Sequence, residues 1–353
     1  MSKRLFQRPG CATKRCWQAI SFFVLLSVVF PASPALAGYH VVKKFPGPDD
    51  AGWDYLIVDP AARRLYVSHS THVDVYNADT GAPAGKIANT DGVHGIALAS
   101  DLGRGFTSNG RASTVTIFDL KTLAPIGDVK TGKGPDSIIY DPASKRVFAF
   151  NGGGDSTTAI DAADGKVAGT IDLGGGPEFA VADGNGNVFV NLEDKSEMVK
   201  FDSKKLTVSA HWPLAPCESP SSMAMDRKNK RIFVGCRNRT MAVVNADTGK
   251  VITTVPIGDR VDASAWDPDT GLVLNSNGDG TLTVVHQESP DKYTVVENVK
   301  TQPNSKTLAL DPKTHQVFLP GASYGPAPAP TAAQPRPRPP ILPGSFTVMV
   351  LAE

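Results

Sequence analysis

SIIYDPASKRVFAF, Ser137 to Phe150, decides the fold because it returns along the chain. An apolar run ends on Asp141-Pro142, a turn pair in which Asp offers a side-chain acceptor and Pro fixes φ, and a second apolar-aromatic run follows. Working outward, the equivalents are YLIVDPAARRLYVS from Tyr55, GIALASDLGRGFTS from Gly95, FAVADGNGNVFVN from Phe179, SMAMDRKNKRIFVG from Ser222, SAWDPDTGLVLNS from Ser264 and TLALDPKTHQVFLP from Thr307. Their turn anchors, Asp59, Ala99, Asp141, Asp183, Asp226, Asp267 and Asp311, are spaced by 40, 42, 42, 43, 41 and 44 residues. A period near forty built of short strands is the signature of a β-propeller.

Each copy is followed by a second phrase, such as VDVYNADTG at Val73, VTIFDLKTL at Val115 or MAVVNADTG at Met241. Alternating β-branched and polar residues that end in Asp or Asn, Thr and Gly predict a third strand entering a tight turn. A fourth segment, for example KVAGTIDL or KVITTVPI, closes six of the units. The expected fold is therefore all-β: a seven-bladed propeller of four-stranded antiparallel blades in one domain, 38–353. The seventh unit stops after its third strand, at Glu353, and YHVVKKF, Tyr39 to Phe45, is the segment expected to complete it. Such a closure removes the sheet edges on which other chains could pair. Tyr66, Phe106, Phe148, Phe189, Phe233, Leu274 and Phe318 recur at one place in the second strand and are expected between blades.

Residues 1–37 read as a cleavable export signal. Lys3, Arg4, Arg8, Lys14 and Arg15 precede an apolar run from Ala19 to Phe30 and the small-residue stretch Ala35-Leu36-Ala37. The run is too short to span a bilayer, and no later stretch is long enough, so a periplasmic or secreted protein of a Gram-negative bacterium is expected, without a membrane span after cleavage and as a monomer. The whole sequence has 36 Lys and Arg against 35 Asp and Glu. Five of those cations lie in the signal, so the mature chain is net acidic, a balance that does not suit a nucleic-acid partner. Cys217 and Cys236 remain in the mature chain, flanking the first two strands of blade five on the same face, and an oxidising compartment makes a disulfide the expectation.

The second-strand tetrads YVSH (Tyr66), FTSN (Phe106), FAFN (Phe148), FVNL (Phe189) and LNSN (Leu274), with the turn phrase NADTGK (Asn245 to Lys250), resemble those of the YVTN-type β-propellers, the YncE-like family of exported bacterial proteins. The resemblance covers Tyr39 to Glu353 and implies a seven-bladed exported protein with no shared catalytic residue. Lactonases and quinoprotein-like enzymes are broader propeller families that the chain resembles, but the tryptophan-rich repeats of the latter are missing from this sequence.

Five residues before each turn anchor, where the chain enters the inner strand at the channel mouth, stand Asp54, His94, Asp136, Glu178, Ser221, Asp262 and Lys306. Four carboxylates at seven equivalent positions repel one another and need a cation, a raised pKa or intervening water. Asp54, His94, Asp136, Glu178, Asp262 and Lys306 are accordingly the candidate ligand-binding residues. No resident cofactor is expected, and a divalent cation at the mouth is the alternative occupant. His69 and His72, beside His94, are the weaker metal candidates, while His286 and His315 are expected to be solvated on the opposite face. Arg237 and Arg239, on a loop of the ligand face, are candidate anion contacts.

In blade seven the loop between the second and third strands is expanded from Gly321 to Gly344 and carries eight prolines, a composition for an extended flap over the ligand face. GASYG, Gly321 to Gly325, matches the G-x-S-x-G nucleophile pattern, but that motif needs a strand-to-helix elbow and no helix is expected here. The function expected is binding or scaffolding: recognition of a small polar ligand or an envelope protein through the loop face. A lactonase-like or sugar-directed hydrolase or isomerase using the acidic mouth is the alternative.

Overall fold

The computed structural model describes residues 38–47, 52–331, 334–335 and 337–353. The export signal expected at 1–37 lies outside the described residues. Within them the chain forms seven four-stranded antiparallel sheets, six of them meanders in which sequential strands are neighbours, while the seventh joins the first strand of the chain to the last three. Blade three shows the pattern: Pro135–Asp141, Arg146–Asn151, Ser156–Asp161 and Val167–Asp172, from the axis outward. The turns follow from the sequence. Asp59 accepts the backbone N–H groups of Ala61 and Ala62 at 3.0 and 2.9 Å, and Asp311 accepts that of Lys313 at 3.0 Å. At the end of the third strand Asn77 and Asp119 do the same for the residues that follow them.

Ring closure occurs through the N-terminal strand, His40–Pro46, which pairs antiparallel with the last strand, Thr347–Ala352, as the outer edge of blade seven. The core lies between blades, in seven apolar clusters. Each is shared by two adjacent blades, and one of them joins blade seven to blade one through Leu56, Leu65, Phe318 and Val348. The seven second-strand positions from Tyr66 to Phe318 are buried, and each belongs to a different cluster. Flat rings at blade interfaces bury much area without a bend in either sheet.

Two features depart from the sequence pattern. The inner strand of blade seven is reduced to Ala309–Asp311, so Lys306 precedes it in a segment with no ladder. The Pro-rich insertion is pinned at its base, where Gly325 N–H donates to Pro340 O and Leu342 N–H to Ser323 O, each at 2.8 Å. Cys217 and Cys236 form the disulfide, with their Cα atoms 5.5 Å apart.

Candidate functional site at the channel mouth

In six blades the inner strand begins with a register shift against the second strand, and the site residue sits within it. The shifts fall between Trp53 and Leu56, Val93 and Ile96, Pro135 and Ile138, Pro177 and Ala180, Pro220 and Ser222, and Val261 and Ala263. Asp54, His94, Asp136, Glu178, Ser221 and Asp262 therefore lie where a bulge re-aims side chains and frees backbone groups from the ladder.

Hydroxyls of the neighbouring blade take up the freed carbonyls. Thr307 Oγ1 donates to Asp54 O at 2.8 Å, and Ser108, Ser137 and Ser276 donate through Oγ to the carbonyls of Asp136, Glu178 and Lys306. Ser221 Oγ donates to Val261 O at 2.7 Å, and Asn191 Nδ2 to Ser222 O at 3.0 Å. The blade one to blade two junction is instead bridged by the side chains of the site, with His94 Nδ1 2.6 Å from Asp54 Oδ2.

His94 Nδ1 also stands 3.8 Å from Asp136 Oδ1. On the other side of the ring, Lys306 Nζ donates to Asp262 Oδ2 at 2.6 Å. One layer deeper, Tyr55 and Phe179 belong to blades one and four, on opposite sides of the ring, yet their ring centroids are 5.3 Å apart. These rings floor the mouth beneath Asp54 and Glu178.

Crowding sets the electrostatics. Loss of water, then repulsion from Asp136, Glu193 and Asp262, pushes the Glu178 carboxyl up to about 8. Asp136 is pushed up to about 6 by burial and by Asp54, against the pull of His94. Burial also raises Asp262, opposed by Lys306. The hydrogen bond to Asp54 raises the pKa of His94 despite its burial, with further support from Asp136. Lys306 is held charged by Asp262 although burial opposes it.

The structure thus gathers Asp54, His94, Asp136, Glu178, Asp262 and Lys306 around one mouth. The ligating atoms of Asp54, His94 and Asp136 lie within 4.8 Å of one another. His69 and His72 do not join them. Their rings stack at 5.6 Å and both approach Asp74, at 3.7 and 3.3 Å, while His69 meets Phe346 edge-on. His315 keeps a solvent-exposed side chain, at 38%, and its Nδ1 also lies 2.6 Å from Asp267 Oδ2, a buried turn anchor of the preceding blade. Arg237 meets Glu193 at 2.8 Å and Arg239 meets Asp259 at 3.3 Å.

Beside the mouth, under the base of the Pro-rich insertion, is a cavity of about 560 Å³. Asp262 and Lys306 belong to both, and Trp53, Tyr324 and Ile341 supply its apolar wall. Sequence reasoning missed this cavity and the Tyr55–Phe179 floor. The floor had a signal, since those aromatic residues directly follow Asp54 and Glu178. The wall had none, because it joins residues some 290 positions apart in sequence, from Trp53 to Ile341.

No protein-family model and no curated protein matches the sequence. Solved structures do. The chain is similar to Kuenenia stuttgartiensis hydrazine synthase, with a TM-score of 0.68 and 15% identity over 78% of this chain and 93% of that one. It is similar to U3-55K, with a TM-score of 0.72 and 10% identity over 90% and 99% of the two chains. A chain of the mitotic checkpoint complex matches with a TM-score of 0.72 and 14% identity, over 95% and 98%. At these identities the likeness is one of fold, the β-propeller class.

Proposed function

We propose that this chain is an exported binding propeller of the YVTN type that holds a small polar ligand at its channel mouth. The repeat tetrads support the family reading, and the Cys217–Cys236 disulfide supports export. Among the described residues no helix is long and apolar enough to cross a membrane. The carrying observation is the mouth itself: bulged strands carry four carboxylates to one space, and three of them, Asp136, Glu178 and Asp262, are pushed toward their protonated forms. A ligand with hydrogen-bond donors or a positive group there relieves the repulsion and gains charge-assisted hydrogen bonds.

The catalytic alternative would use His94 as a base oriented by Asp54. A divalent cation is the other occupant, held by Asp54, His94 and Asp136 after His94 gives up its proton. Thermal-shift screening of the mature chain with polar metabolites and with divalent metals tests the proposal. A hit is expected to vanish in an Asp136→Asn, Glu178→Gln double variant. Flat responses throughout, or hits indifferent to that variant, would contradict it, and turnover abolished by His94→Ala would favour the enzyme instead.

A further inference from the structure

The cavity under the insertion has the opposite electrostatic character to the mouth it adjoins. Its lining includes Arg237, Arg260, Lys306 and Arg338, with Asp262 as the carboxylate among them. Lys306 already answers Asp262, and Arg237 answers Glu193. Arg260 and Arg338 are left as the cations with no carboxylate within salt-bridge distance among the described residues.

Arg260 is fixed in place. Its backbone is left-handed, at φ 57°, and its guanidinium donates to Gly278 O at 2.6 Å and to Asn304 Oδ1 at 3.2 Å. Both acceptors are neutral, so the guanidinium is oriented without a salt bridge, its charge felt at longer range by the carboxylate of Asp259. Arg338 comes to the lining from the insertion, three residues before Ile341, which bridges to Tyr324. Trp53 shares the lining, its own ring held 5.1 Å from that of Phe346.

We infer that this cavity is an anion-selective pocket for a carboxylate-, sulfonate- or phosphate-bearing ligand with a flat apolar body. The anion lies between the Arg260 and Arg338 guanidinium groups, which favour planar two-point contact with oxyanions. The body lies against Trp53 and Tyr324, and most of the remaining wall is apolar, as in pockets where a few charges orient a hydrophobic ligand. Because Lys306 and Asp262 form the border with the mouth, donor groups on the same ligand reach the acids there. The inference rests on the proposed binding role and names the ligand class for the loop face.

The test compares two probes with the same ring system and opposite charge, 2-naphthoate and 2-naphthylmethylammonium, titrated calorimetrically into the mature chain. Naphthoate is expected to bind, and an Arg260→Gln, Arg338→Gln double variant to weaken it by about tenfold or more, since each charge-assisted contact is worth on the order of 1.4 kcal/mol or more. Circular dichroism of the variant confirms that the ring has folded. As a second variant, Trp53→Ala should weaken naphthoate without changing the salt dependence of its binding. Tighter binding of the ammonium probe, or naphthoate binding indifferent to the arginines, overturns the anion pocket while leaving a polar-ligand role for the mouth. If neither naphthyl probe binds but a polar metabolite responds to Asp136→Asn, Glu178→Gln, the pocket inference falls and the mouth reading stands.

Discussion

The same inner strands carry two sets of acids, five residues apart, that meet opposite fates. At the turn end, Asp59, Asp141, Asp226, Asp267 and Asp311 are buried, and each accepts backbone N–H groups of its own turn. Several are also answered by the next blade: Arg63 meets Asp311 at 2.6 Å, and His315 meets Asp267. At the mouth end, the bulge turns Asp136 and Glu178 toward one another without local backbone donors to their carboxylates, and both rise. Burial raises Asp311 as well, but Thr314, Arg63 and the Lys313 N–H outweigh it and leave its pKa below the usual range. A repeated acid is a folding element where the backbone supplies donors; where it does not, it is available to a ligand.

The largest effect that would break this picture concerns the frame that holds both ends. Deleting 38–46 removes the outer strand of blade seven, and loss of cooperative thermal unfolding is expected, with aggregation through the exposed edge. A truncated chain with an unchanged Tm would show that the ring closes otherwise.

Asp311→Ala should destabilise by about 3–5 kcal/mol in urea unfolding, since it strips a buried, half-charged network and leaves Arg63 with Asp79 as its remaining partner. The stabilisation from Asp311 belongs to a lowered pKa, so it is present above the ordinary carboxylate range and is lost as pH falls through the depressed value. Replacing both Cys217 and Cys236 by Ala should cost about 3 kcal/mol through the chain entropy of the opened loop, read by the same unfolding curves.

Glu178→Gln should move stability the other way. A raised folded-state pKa means that the native form favours the proton, so wild-type stability declines from its ordinary value of 4.5 up to about 8. The variant is expected to match wild type below pH 4.5 and to exceed its Tm by a few degrees at pH 9. The smallest effect is expected from trimming 326–339 out of the insertion: Tm within about a degree of wild type, because few buried groups depend on it, alongside loss of naphthoate binding.

The repeat phrases made the blade count and the closure legible, because a two-residue alternation and an Asp-Pro turn are local properties. The convergence of Asp54, His94 and Asp136 was legible too, because equivalent positions in a ring must face a common axis. The bulges were not, since a register shift depends on which hydrogen bonds the second strand offers, and on hydroxyls such as Ser108 that lie in the adjacent blade. The His315–Asp267 contact was hidden for a related reason: it joins a turn to the turn of the preceding blade, 48 residues away. Arg338 escaped notice because the insertion interrupts the period that located everything else, and Arg260 because it lies two residues before the position compared across blades.

The most direct test of the unsatisfied mouth is a carbon-13 NMR titration of the Glu178 side-chain carboxyl in the folded chain 38–353. A midpoint of about 8 that falls when Asp136 is changed to Asn is the expected result. A midpoint near 4.5, indifferent to Asp136, would contradict it.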